Sequence, residues 1–109
     1  MTNFRPGDLV LVQFPYAGST QTKQRPALVV LDTGDADVVV ARVTTQPYQT
    51  PNDVAIADWQ GAGLLAPSVV RAHKLATLEK ALVRRRLGIL QSVDRQRISA
   101  VIRQILGNW

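Results

Sequence analysis

The chain has 109 residues, of which 46% are apolar, and it contains no cysteine. This size and composition suit a single domain over residues 1–109, and the missing thiol excludes disulfides, thiolate nucleophiles and cysteine-ligated zinc. No apolar run is long enough to cross a bilayer and no secretion signal precedes the first strand, so we expect a cytoplasmic protein without a membrane anchor. The formal net charge of +5 favours an anionic partner.

Short apolar segments separated by turn signals predict a mainly β fold. Strands are predicted at residues 9–14, 27–31, 38–44, 54–57 and 69–78, with polar loops at 15–26 and 45–53. The first of these loops is long for a hairpin connection, which indicates a functional loop. Four or five short strands of this kind are typical of a small antiparallel barrel or curled sheet.

The last third of the chain predicts a helix and carries most of the positive charge. Apolar residues from Ile98 to Leu106 recur at helical spacing, with Ser92 as the expected N-cap and Gly107 as the expected C-cap. Residues 80–109 hold seven basic side chains against Asp94 alone. A solvated helix face and direct contact with nucleic acid explain this surplus equally well.

Several kinds of catalytic site are excluded by the residues present. The sequence has no glycine-rich phosphate loop and no G-x-S-x-G nucleophile elbow. Its one clustered set of carboxylates, Asp32, Asp35 and Asp37, falls in a predicted turn, where aspartate is favoured because it hydrogen-bonds to the local backbone. A single histidine supports neither a zinc site nor a two-histidine ribonuclease mechanism. We therefore expect neither a metal nor an organic cofactor.

Cleavage of RNA remains possible, because its own 2′-hydroxyl can attack the adjacent phosphorus. The reaction needs a proton acceptor, a cation beside the phosphorane-like transition state and a proton donor for the departing 5′-oxygen. Arginine suits the second role and histidine either proton role. Arg71 and His73 lie two apart on a predicted strand and would face the same side. This spacing alone still favours a hydrogen-bonded structural site over a catalytic one.

Four segments in order carry a resemblance to a known family: GDLVLVQF at residues 7–14, KQRPALVV at 23–30, VTTQ at 43–46 and SVVRAHKLATL at 68–78. In this combination the chain resembles the PemK/MazF toxins of type II toxin-antitoxin systems. The resemblance implies a small SH3-like antiparallel β-barrel with a C-terminal helix, related also to CcdB. It further implies a homodimeric, metal-independent endoribonuclease, a cognate antitoxin whose acidic segment blocks the RNA site, and binding of promoter DNA by the toxin-antitoxin complex.

The resemblance also suggests which residues form the catalytic site. The arginine of the family's R-P pair falls on Arg25, and its active-site threonine falls on Thr44. Arg71 matches an arginine of PemK-type members, in which an aspartate two residues later serves the active site. That position is His73 here, which leaves open whether His73 is the base or whether Arg25 and Thr44 do most of the work.

Other polar residues are candidates for RNA recognition. Lys23 and Lys74 could hold phosphates, and a further five side chains offer hydrogen bonds or a stacking face for unpaired bases. These are Ser19, Thr20, Gln21, Gln46 and Tyr48. Two alternatives to the nuclease remain: a CcdB-like toxin that poisons DNA gyrase without cutting RNA, and a non-catalytic SH3-like module that binds nucleic acid.

Overall fold

The computed structural model describes residues 3–15 and 22–109, apart from the side chains of Pro15 and Thr22. Six strands and one helix follow one another along this part of the chain. The strands are β1 (Asp8–Pro15), β2 (Thr22–Leu31), β3 (Asp37–Thr44), β4 (Asp53–Ala55), β5 (Val69–Glu79) and β6 (Val83–Ile89), and the helix α1 is Ser92–Leu106. A short 3-10 turn, Lys80–Leu82, joins β5 to β6.

All six strands belong to one antiparallel sheet in the order β4-β5-β3-β2-β1-β6. Register shifts interrupt the β1–β6, β2–β3 and β3–β5 ladders, and such bulges bend and twist a sheet. The sheet is not fully closed, since β4 and β6 are its edges. The predicted class, a small antiparallel sheet with a C-terminal helix, is confirmed. No helix in the described ranges is long and apolar enough to cross a membrane.

Each face of the sheet buries its own apolar cluster, because side chains alternate along every strand. One cluster lies between α1 and the sheet, and it includes Leu9, Leu28 and Val70 of the strands and Ile98 of the helix. The other cluster covers the opposite face and is rich in valine; it includes Val10, Val12, Ala27, Val29 and Val40. The second face is therefore free of the helix, and it is the face that carries the candidate site.

Two strands differ from the sequence-based prediction. The segment VRRRLGI forms β6, which was not predicted because three consecutive arginines hide the alternation that marks a strand. Strand β2 begins at Thr22, so Arg25 lies within a strand, opposite Val12, and not where a loop enters one. In both cases pairing with β1 outweighs a polar local composition.

The helix α1 is fastened to the sheet at its first turn. Its N-cap is Gln91, one residue earlier than the predicted Ser92. Asp94, in the first turn, is buried and accepts the backbone N–H groups of Ala57 and Asp58, both at 2.9 Å. Gly107 ends the helix as predicted, with a φ of 62° that favours glycine.

The aspartates after β2 serve the structure of the turn. Asp32 accepts the N–H of Gly34 at 2.8 Å and that of Phe4 at 2.6 Å, and it forms an ion pair of 2.8 Å with Lys80. The hydrogen bond from Lys80, followed by those from Phe4 and Gly34, lowers the pKa of Asp32 to about 2. Lys80, part of the basic surplus noted above, is thus committed to a buried contact.

Candidate functional site

Three neighbouring strands bring Arg25, Thr44 and Arg71 to one face of the sheet. Ala27 of β2 is opposite Arg42 of β3, and Arg42 is opposite Arg71 of β5. Directly opposed residues share a face of the sheet, and so do residues two apart along a strand. Arg25, two residues before Ala27, and Thr44, two residues after Arg42, therefore lie on this face as well. With neighbouring strands ~4.8 Å apart, the backbones of β2 and β5 lie about 10 Å from each other here.

A groove opens on this face where β2 and β3 stop pairing. Both strands continue past the Ala27–Arg42 pair, but their ladder ends there. The groove has a volume of about 330 Å³, and its lining is mostly apolar and includes Phe14, Val40 and Leu75. The size and lining are those of a site for a small organic group, and one nucleobase would fit.

Three cationic side chains surround the groove: Arg25, Arg42 and Lys74. Arg25 is half-buried, whereas Arg42 and Lys74 are exposed. Within residues 3–15 and 22–109, none of the three makes a hydrogen bond or an ion pair. An apolar lining together with these cations suits an unpaired base and the phosphates beside it.

Arg71 is opposite Arg42, a residue of the groove, and its guanidinium makes two contacts. Its Nε donates to Asp53 Oδ1 at 2.8 Å, and its guanidinium carbon lies 3.7 Å from the centre of the Tyr48 ring. Burial of the Asp53 carboxylate raises its pKa, but hydrogen bonds from Arg71 and Thr50 together with the charge of Arg71 outweigh burial and lower that pKa to about 2. Asp53 therefore remains charged at neutral pH.

Thr44 ends β3 beside the groove, and its side chain is already engaged on one side. The residue is 7% exposed, and its Oγ1 accepts the backbone N–H of Gln46 at 3.1 Å. Among the residues that the structure describes, none accepts the hydroxyl proton, so Thr44 can still donate one hydrogen bond.

His73 lies in a bulge of β5. Arg71 is opposite Arg42, but the next pair along the ladder joins Leu75 to Ala41, which leaves the residues between Arg71 and Leu75 unpaired with β3. The alternation rule that placed Arg71 and His73 on one side does not hold across a bulge. The Nδ1 atom of His73 is buried and has no hydrogen-bond partner in the described part of the chain.

The predicted recognition residues have different surroundings. Lys23 is exposed on β2, two residues from Arg25, and Gln46 is exposed just after β3. One face of the Tyr48 ring is occupied by Arg71, so a base could stack only on the other face. The remaining predicted contacts, Ser19, Thr20 and Gln21, lie outside the described residues.

Comparison with known proteins connects this fold to a family. A model of the PemK-like, MazF-like toxins of type II toxin-antitoxin systems matches residues 5–106. The chain belongs to this toxin family. The resemblance stated from the four sequence segments is thereby confirmed. No curated protein sequence matches the chain significantly.

Solved structures share the fold over nearly the whole chain. An endoribonuclease from Mycobacterial species is 23% identical, with a TM-score of 0.78 over 98% of this chain and 94% of that one. A MazE–MazF complex from Deinococcus radiodurans is 23% identical, with a TM-score of 0.78 over 98% of each chain. An endoribonuclease in complex with its cognate antitoxin, from Mycobacterial species, is 25% identical, with a TM-score of 0.75 over 94% of this chain and 95% of that one.

Two residues of the site were not predicted from the sequence. Arg42 was missed because a single arginine in an apolar strand carries no motif, and only the strand register places it between Ala27 and Arg71. Asp53 was missed because it falls in a segment with two prolines that resembles an ordinary loop. In each case the partner is distant in sequence, so no local pattern could have identified the residue.

Proposed function

We propose that this toxin is a metal-independent, sequence-specific endoribonuclease that cuts single-stranded RNA in the groove of Arg25, Arg42 and Lys74. The 2′-oxygen attacks the adjacent phosphorus as its proton is removed, and the bond to the 5′-oxygen breaks as that oxygen receives a proton. The products carry 2′,3′-cyclic phosphate and 5′-hydroxyl ends. The observation that carries the proposal is an apolar groove lined by three cations that have no partner in the described part of the chain, within a fold shared with endoribonucleases.

The candidate residues include groups suited to the charge stabilisation and the proton transfer in this reaction. Arg25 beside the groove and Arg71 on the same sheet face can stabilise the negative charge that develops on the phosphate oxygens. Thr44 can donate its hydroxyl proton to a phosphate oxygen. Histidine is the side-chain type that exchanges protons near neutral pH, and His73 lies in the bulge of β5 that follows Arg71. We assign His73 to proton transfer.

We further propose that the toxin forms a homodimer, is neutralised by a cognate antitoxin, and binds promoter DNA as part of that complex. The MazE–MazF complex and the endoribonuclease–antitoxin complex, whose toxins share this fold, support an antitoxin partner. The cations that line the groove suit the acidic segment expected of that partner, because such a segment would compete with RNA phosphates for the same charges.

Incubation of the purified protein with a long single-stranded RNA in EDTA tests the proposal. We expect discrete fragments, and mapping of their ends should find cyclic phosphate and 5′-hydroxyl groups at a shared short motif. RNA that stays intact across many sequence contexts would contradict the nuclease. Salt-sensitive binding without cleavage would favour the non-catalytic module, and trapped gyrase–DNA complexes would favour the CcdB-like toxin.

A further inference from the structure

The carboxylate of Asp53 is fully buried and joins two parts of the site. Its side chain is 0% exposed. One oxygen, Oδ1, accepts from Arg71 Nε at 2.8 Å, and the other, Oδ2, accepts from the backbone N–H and the hydroxyl of Thr50 at 3.0 and 2.5 Å. Three hydrogen bonds therefore connect β5 to the loop at residues 45–52.

These contacts restrict the guanidinium of Arg71 on several sides. Its Nε is bonded to Asp53, one face of its plane lies against Tyr48, and its side chain is only 11% exposed. The two terminal nitrogens have no hydrogen-bond partner within the described ranges. They are the part of the side chain that can still meet an anion, and the planar geometry of the guanidinium fixes where they point.

The charges around Arg71 explain why its side chain pairs with Asp53. Arg42 is directly opposite Arg71 on one side, and Asp53 is directly opposite it on the other. Like charges at opposed positions repel and unlike charges attract. The guanidinium is consequently drawn towards β4, which leaves Arg42 free to line the groove.

We propose that Asp53 is a positioning residue, which holds Arg71 and the loop carrying Tyr48 as one unit so that the terminal nitrogens of Arg71 meet the scissile phosphate. This inference rests on the proposed RNA cleavage. In this role Asp53 itself contacts neither the RNA nor the proton that is transferred. It acts through the direction of the guanidinium, and a shift of about 1 Å in a group of this kind can slow a reaction by ~100-fold.

A positioning role has a signature that a purely structural role lacks. Asp53→Asn removes a negative charge beside an anion site, so binding of RNA should be unchanged or tighter, by about 2- to 3-fold at low salt. Cleavage should nevertheless slow by about 10- to 100-fold, because the guanidinium loses its charged partner. Loss of folding would instead weaken binding and cleavage together.

The experiment compares Asp53→Asn with a matched control, Asp37→Asn, which makes the same chemical change at an exposed position at the start of β3. Binding is measured with a 2′-O-methyl RNA that cannot be cut, and cleavage with the corresponding RNA under single-turnover conditions. Slower cleavage with unchanged or tighter binding for Asp53→Asn, and no change in either quantity for Asp37→Asn, would support the proposal. A native cleavage rate for Asp53→Asn, or equal losses of cleavage rate in both variants, would overturn it.

A double-variant cycle tests whether Asp53 acts through Arg71. If it does, Asp53→Asn should cause little further loss of cleavage in an Arg71→Lys background, because the lysine has no planar group to orient. Multiplicative losses in the double variant would show that Asp53 acts independently of Arg71, and the proposal would then be wrong.

A measurement on the native protein separates this inference from the proposed function and needs no variant. In nitrogen-15 NMR spectra, the Nε–H proton of Arg71 should exchange with water much more slowly than that of Arg85, which is exposed. Equally fast exchange would contradict the hold of Asp53 on Arg71, even if the protein cuts RNA. Slow exchange without RNA cleavage would support the contact between Asp53 and Arg71 but reject the proposed function. The positioning role would then be rejected as well.

Discussion

Replacement of Arg42 by glutamine tests the groove, because this residue was identified only from the strand register. If Arg25, Arg42 and Lys74 each contact one phosphate of a single strand, the slope of log K against log salt should be about −2, at ~0.7 per contact. Arg42→Gln should reduce that slope by ~0.7. At ~0.1 M salt this corresponds to a loss of about 5-fold in affinity, and the loss should disappear near 1 M salt.

Fluorescence anisotropy with a labelled 2′-O-methyl RNA of mixed sequence measures this slope without cleavage. Arg103→Gln is the matched control, since Arg103 is exposed on α1, which packs against the opposite face of the sheet. Unfolding in urea should show no loss of stability for Arg42→Gln, and a gain of ~0.2–1 kcal/mol is expected from relief of its repulsion with Arg71. An unchanged slope, or an equal change in the control, would refute the assignment of the groove.

Four further outcomes are expected. Arg25→Ala should slow RNA cleavage by more than about 100-fold, because a lost transition-state charge contact costs ~3–4 kcal/mol; a near-native rate would remove Arg25 from the mechanism. His73→Gln should abolish the acidic limb of the pH–rate profile, and an unchanged limb would exclude His73 as the base. Ile98→Ala, on the buried face of α1 where the residue is 2% exposed, should lower the free energy of unfolding in urea by ~2–4 kcal/mol, and an unchanged free energy would contradict its place in the core. The pKa of Asp53 is lowered from 3.8 to about 2, so the contribution of this carboxylate to stability is complete above pH 3.8 and is lost as the pH falls towards 2. Asp53→Asn should therefore flatten the plot of unfolding free energy against pH between these values. An equally steep plot would contradict the ion pair.

The fold was largely predictable because most of its elements carry local signals. The runs of valine and leucine that became β1, β3 and β5 are typical of strands buried on at least one face, and the apolar spacing of α1 is that of a helix on a core. The exceptions are β6 and the start of β2, where polar residues form strands because neighbouring strands supply hydrogen bonds that no local pattern reveals.

The candidate site residues were named from the sequence, but the contacts among them were not. The sequence by itself determined the family, the candidate residues Arg25, Thr44, Arg71 and His73, and a positive charge suited to an anionic partner. Those conclusions depend on residue types in a fixed order along the chain. Their catalytic roles remain predictions for the experiments above.

Only the tertiary structure decided which side chains act together. The register of β2, β3 and β5 places Arg42 beside the groove, the β4–β5 pairing gives Arg71 a carboxylate partner, and the bulge between Arg71 and Leu75 sets His73 apart from regular alternation. The physical reason is that an antiparallel sheet brings together residues that are far apart in sequence, and a shift of one residue in register would change every such pair.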